Sequence, residues 1–200
     1  MSWLIALSVA FLTIFLAELG DKTQLITVSF ASKYPRVPVF FGVFLAMSMI
    51  TIIGVGVGAV LVSVIPLQTV KVLSGLIFVM FGIWTLIAKE GELKGGEREI
   101  TSSKTHEPKI SRVFSTAFIM AALAEFGDKT QLAAIALTAQ YGEPVFVYLG
   151  AVIAFAVIVA IGVVLGKTLS EKVESKWIEA GSGVLFIVLG VIFILESLLF

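Results

Sequence analysis

Six ionisable residues stand where an apolar chain has little reason to carry them. Glu18, Asp21 and Lys22 belong to the stretch A-E-L-G-D-K-T-Q-L, residues 17–25, and Glu125, Asp128 and Lys129 to A-E-F-G-D-K-T-Q-L, residues 124–132, each set within a long apolar run. A charge at the centre of a bilayer costs at least about 2.5–3.5 kcal/mol, so ionisable residues in such runs point to function. On a helix Glu18 and Asp21 are three residues apart and Gln24 three further, which places two carboxylates and an amide oxygen on one face; Glu125, Asp128 and Gln131 repeat the arrangement. Brought together, the two faces form a cage of about six oxygen donors, the ligand set of a hard divalent cation such as calcium, manganese or magnesium. The four carboxylates and two lysines, Lys22 and Lys129, sum to −2. One divalent cation or two protons would neutralise that charge. Crowded carboxylates repel one another and take up protons once a metal leaves. Metal and protons therefore compete for one site, which is the minimal machinery of an antiporter. Thr23 and Thr130 could add hydroxyl oxygens, although an ideal helix points them nearly opposite Glu18 and Glu125. Gly20 and Gly127 allow the helix to loosen at the motif and free backbone carbonyls as further ligands.

The elements that must position these residues are membrane helices. Of the 200 residues 58% are hydrophobic and 14% charged, and mean hydropathy is +1.08, against roughly 25% charged in a soluble domain. A crossing needs about 20 apolar residues, and six stretches qualify. They run from Trp3 to Ala31, Val39 to Val64, Val70 to Ala88, Val113 to Ala139, Val145 to Leu165 and Ile178 to Leu199. Lys33-Tyr-Pro-Arg-Val-Pro38, Pro66 and Tyr141-Gly-Glu-Pro144 punctuate them. The opening residues lack a basic segment and a cleavage site and read as a retained first span. Residues 89–112 switch to a polar, mixed-charge composition and read as a solvated linker, with the single histidine, His106, inside it. Glu143 and Glu196 fall at span ends and read as interfacial.

The halves align beyond the motifs. Glu18 and Tyr34 map onto Glu125 and Tyr141 at an offset of 107, and Gly54, Gly58, Gly75 and Gly82 map onto Gly162, Gly166, Gly183 and Gly190 at an offset of 108. The expected architecture is an all-α integral membrane protein of six transmembrane helices, built from a three-helix repeat at 1–88, the linker at 89–112 and a second repeat at 113–200. Three is odd, so the repeats enter the membrane from opposite sides, the inverted topology in which transporters hold a substrate at the repeat interface. Connections after the first, third and fifth spans carry two, six and three Lys or Arg, and the opposite side only Lys71. The positive-inside rule then makes the linker cytosolic and puts both termini outside.

Composition also excludes. With no cysteine and one histidine the chain forms no disulfide, thiolate centre or zinc site, and a net charge of zero gives no footprint for nucleic acid. Nothing marks an enzyme or a resident cofactor.

The paired motifs, Glu18-Leu-Gly-Asp-Lys-Thr23 and Glu125-Phe-Gly-Asp-Lys-Thr130, match E-x-G-D-[KR]-[ST] in full. A duplicated six-span chain bearing that pattern twice resembles the Gdt family of calcium/manganese:proton antiporters, whose members include a human Golgi protein, chloroplast proteins and bacterial manganese exporters. The resemblance covers both halves. It implies export of a divalent cation from the cytosol in exchange for protons, with Glu18, Asp21, Glu125 and Asp128 as ligands and proton carriers. For a compact chain of this kind it implies manganese and a bacterial inner membrane. Two rival readings use the same residues. One is a proton-coupled exporter of an amino acid or other small solute. The other is a non-transporting scaffold in which Glu18–Lys22 and Glu125–Lys129, each four apart in the favourable order, pair within their own helices; that pairing gives no account of Asp21 and Asp128.

Overall fold

The computed structural model describes residues 2–87, 109–170 and 175–199. Most of the linker, His106 included, lies outside the described residues, as do the side chains of Lys22 and Glu196. Eight helices follow one another: α1 (Ser2–Glu18), α2 (Lys22–Lys33), α3 (Arg36–Val64), α4 (Leu67–Ile87), α5 (Ile110–Glu125), α6 (Lys129–Tyr141), α7 (Pro144–Ser170) and α8 (Ser175–Leu199). There is no strand among the described residues. The expected punctuation sets the boundaries. Pro38 sits in the first turn of α3, where amide hydrogens lack helical partners anyway, and Pro144 opens α7. Gly142 closes α6 in the left-handed region at φ 66°, its N–H donating to Thr138 O at 2.9 Å.

The first and fourth stretches differ from continuous helices. Each breaks at its motif, α1 meeting α2 at 67° and α5 meeting α6 at 66°. By length and composition α3 and α7 can each cross a membrane, and counting each bent pair as one span gives up to four among the described residues. The apolar stretches of α4 and α8 there are shorter, Val72–Trp84 and Gly183–Leu195. Large apolar side chains such as Ile52, Val60, Met80, Trp84, Val188 and Leu195 cover the outside, as a lipid-facing surface requires.

Small residues hold the helices together, as expected where lipid removes the hydrophobic drive for association and close backbone approach supplies the attraction. α1 packs on α7 and α5 on α3, through the same contact with the halves exchanged. Gly150 faces Leu7 O, Ala10 and Phe11, while Gly42 faces Phe114 O, Ala117 and Phe118, where an added Cβ would stand 2.7 Å from the carbonyl oxygen. Gly162 lies against Gln24 and Thr27, and Gly54 against Gln131. α4 and α8 clasp through Gly75 on Gly190 and Gly82 on Gly183, with the Phe78 and Phe186 rings 5.3 Å apart between them.

Candidate functional site

Both motifs use the same local device. Gly20 at φ 81° and Gly127 at φ 79° turn the chain through the left-handed region, which glycine enters without the penalty other residues incur. Asp21 and Asp128 follow in extended backbone, at φ −77° and −80°, as the residues before α2 and α6. Neither aspartate caps its helix with its side chain. The amide oxygens of Gln24 and Gln131 instead reach back to accept the N–H of Gly20 and of Gly127, the latter at 2.9 Å. Each break is thus held by its own glutamine, and both aspartate carboxylates are released from capping.

The two breaks meet. Glu18, Asp21 and Asp128 each bring a carboxylate oxygen within 4.8 Å of the others, two from the first motif and one from the second. Glu18 is fully buried, and neither of its carboxylate oxygens has a hydrogen-bond partner among the described residues. Burying an anion without partners is costly enough that such groups ordinarily bind a cation or a proton. Glu125 stands beside the cluster and is held by two hydroxyls: Thr23 donates to Oε1 from the other motif and Thr130 donates to Oε2 at 3.0 Å. Lys129 places its ammonium 3.0 Å from Asp21 Oδ2, again across the motifs.

Five of these placements were not visible on an ideal helix. Thr23 and Thr130 converge on Glu125 because the break removes the rotation that would point them away. Lys129 reaches Asp21 rather than its own Glu125 for the same reason, so the pairing expected of a scaffold is replaced, for this lysine, by one that ties the halves together. Gln24 and Gln131, expected as ligands, spend their amide oxygens on the glycine N–H groups. The carboxylates expected to gather do so in three of four cases, with Glu125 one hydroxyl pair away.

Sequence comparison gives this geometry its setting. The family described as divalent cation/proton antiporter GDT1 matches residues 6–93 and 113–199, and so takes in both breaks. The chain belongs to the GDT1 family. GDT1-like protein 5 of Arabidopsis thaliana is 30% identical over 205 residues, covering 88% of this chain and 90% of the relative. GDT1-like protein 5 of Oryza sativa subsp. japonica is 30% identical over 207 residues, 88% of each. A GDT1-like protein of Schizosaccharomyces pombe is 26% identical over 226 residues, 90% of this chain and 86% of the relative. No solved structure matches.

Membership of the GDT1 family makes this a membrane transport protein of the cation/proton exchange class, and the apolar helices agree with a multi-pass membrane chain. Further buried polar groups lie along these helices. Thr27 donates to Thr23 O at 2.7 Å and Thr51 to Met47 O at 2.9 Å, each satisfied by the preceding turn of its own helix. Thr13 and Thr138 are buried with hydroxyls that have no hydrogen-bond partner among the described residues. Sequence reading passed over them because a lone threonine in an apolar helix carries no pattern.

Proposed function

We propose that this GDT1-family chain exports a divalent cation, manganese in preference to calcium, from the cytosol in exchange for protons. In this reading it crosses the membrane six times as two inverted three-helix repeats, 1–88 and 113–200, α1–α2 and α5–α6 each forming one broken span. The linker is cytosolic and both termini lie outside, so that in a bacterial inner membrane the cation leaves the cell. Glu18, Asp21, Glu125 and Asp128 carry cation and protons in turn, Lys22 and Lys129 trim the charge, and Gln24 and Gln131 hold the breaks within reach of the cation. Cation and proton are cargo, and no enzyme cofactor enters.

The observation that carries the reading is the meeting of Glu18, Asp21 and Asp128 at the crossing of two helix breaks, with both Glu18 oxygens buried and without hydrogen-bond partners among the described residues. Oxygen-only donors suit hard cations, and the family resemblance favours manganese among them. Broken helices meeting at a repeat interface are the form in which many secondary transporters hold their ions. The test is flux into proteoliposomes containing a pH-sensitive dye, with manganese, calcium, magnesium and a candidate amino acid added in turn. Manganese should drive proton movement and Asp128→Asn should lose it. Proton movement driven by the amino acid alone would favour the solute exporter.

A further inference from the structure

The repeats are equivalent in sequence, yet α4 and α8 do not treat them equally. α4 packs on α6 and α8 on α1, whereas the repeat-equivalent contacts, α8 on α2 and α4 on α5, are marginal at most. Burial follows. On α6, Ala136 and Ala139 are 1% exposed; their equivalents on α2, Ser29 and Ser32, are exposed. On α5 and just past its end, Leu123 and Phe126 are each 72% exposed, while their equivalents on α1 and just past its end, Leu16 and Leu19, are half-buried. The asymmetry reaches the site, where Asp21 is buried and Asp128 partly exposed.

The uncovered side has a direction. Lys33 and Arg36 stand where α2 passes into α3, and Lys109 and Arg112 at the start of α5; the opposite end, around Ser2 and Tyr141–Pro144, has Glu143, and Lys71 is the one basic residue the sequence assigns to that side. On the inverted-repeat transporter reading above, on which this inference rests, the basic end is cytosolic, so the opening faces the cytosol. The exposed hydroxyls of Ser29, Ser32, Ser111 and Ser115 lie on that side.

The glycine and phenylalanine core of the α4–α8 pair is indifferent to exchange of the repeats. Phe78 and Phe186 are each other's equivalents, and the Gly75–Gly190 contact becomes Gly82–Gly183. Each of these contacts maps onto another of the same set, so this core of the pair can dock on either side unchanged, whereas the Gln68–Ser197 hydrogen bonds and the Phe78–Phe193 ring contact have no counterpart, the equivalents of Gln68, Ser197 and Phe193 being Lys176, Lys89 and Thr85. We propose that α4 and α8 move as one rigid gate: this structure is the state open to the cytosol, and the outward state is its repeat-exchanged image, with α8 seated on α2 and α4 on α5. The swap buries Ser29 and Ser32 and uncovers Ala136 and Ala139. Ser32 already donates to Ser29 O at 2.8 Å, so its burial opens no hydroxyl bond.

The chain has no cysteine, which makes site-directed labels unambiguous. Spin labels on Ser32→Cys with Val188→Cys report α2 to α8, and on Met80→Cys with Val188→Cys report α4 to α8, all at exposed positions. In proteoliposomes titrated with manganese and with acid, the first pair should show two populations that redistribute, the second shorter by on the order of 5 Å or more. The α4–α8 distance should stay single and unchanged. In parallel, Ser29→Cys should react with an impermeant maleimide from the basic side only, and lose reactivity as the shorter population grows, while Ala136→Cys gains it from the opposite side. A single, unresponsive α2–α8 distance in protein that exchanges manganese for protons would overturn the gate, as would separation of α4 from α8. Protein that carries no cation overturns the transporter reading and the gate with it.

Discussion

Lys129 separates transport from scaffolding at the level of single side chains. Its ammonium meets Asp21 from the other half at 3.0 Å, the aspartate side chain 5% exposed and the lysine 18%. Breaking a buried ion pair by removing one partner strands the other, at a cost of about 3 kcal/mol. Lys129→Met should therefore lower thermal stability measurably, and adding Asp21→Asn should recover most of the loss. Recovery of stability with no recovery of manganese flux would place Asp21 in cation handling. Recovery of both would mean that the pair only holds the halves together. Asp21→Asn alone should weaken apparent manganese affinity about 30-fold, the equivalent of about 2 kcal/mol for a charge-assisted contact. The hydroxyls on Glu125 allow a finer test. Thr23→Ala removes a donor that crosses between motifs, and Thr23→Ser keeps it. Flux that falls in the first and returns in the second assigns the effect to the hydroxyl, whereas equal loss in both would assign it to the packing of the threonine methyl.

Among the elements, the two broken helix pairs do most to shape the site, and their glycines can be judged separately from space. An added Cβ at Gly127 meets nothing within 4 Å among the described residues, yet the residue sits at φ 79°. The whole cost of Gly127→Ala is then conformational, about 1–2 kcal/mol for a left-handed residue that is not glycine. That strain can be relieved by letting α5 run on toward α6, which would rotate Asp128 away from Glu18 and Asp21. The expectation is a modest loss of thermal stability with a disproportionate loss of flux. Proportionate loss of both would show that the bend serves folding alone. The sequence announced that helices can loosen at these glycines, because glycine beside buried charge in an apolar run has few other uses. It did not announce that Gln24 and Gln131 would hold the breaks. A glutamine four residues after a glycine looks the same whether its amide oxygen waits for a cation or accepts that glycine's N–H, and only the backbone path distinguishes them.

For the whole molecule, duplication was legible because it leaves an offset that can be read residue by residue, and the packing honours it at Gly42 and Gly150 down to the neighbouring atoms. The departure from that symmetry was not legible, since two equivalent repeats contain nothing that selects which of them α4 and α8 cover. The same holds at the site, where Glu18 joins the cluster and Glu125 is held by threonines, although the two motifs differ only at Leu19 and Phe126. Asymmetry of this sort belongs to a state rather than to the sequence. It bears on exchange directly, because a site that alternates between cation and protons must lose affinity for one as it fills with the other. Metal binding at carboxylates releases protons, so acidification should raise the apparent KM for manganese, with the maximal rate changing less. If two protons leave for each cation, KM should rise by up to about 100-fold per pH unit below the titration of the site, and by up to about tenfold if one does. The wild-type slope thus counts the protons bound where the metal binds, and Glu125→Gln should reduce it by one if Glu125 is among the carriers. An unchanged slope in that variant would leave Glu18, Asp21 and Asp128 as the proton carriers and give Glu125 to the threonines in both states.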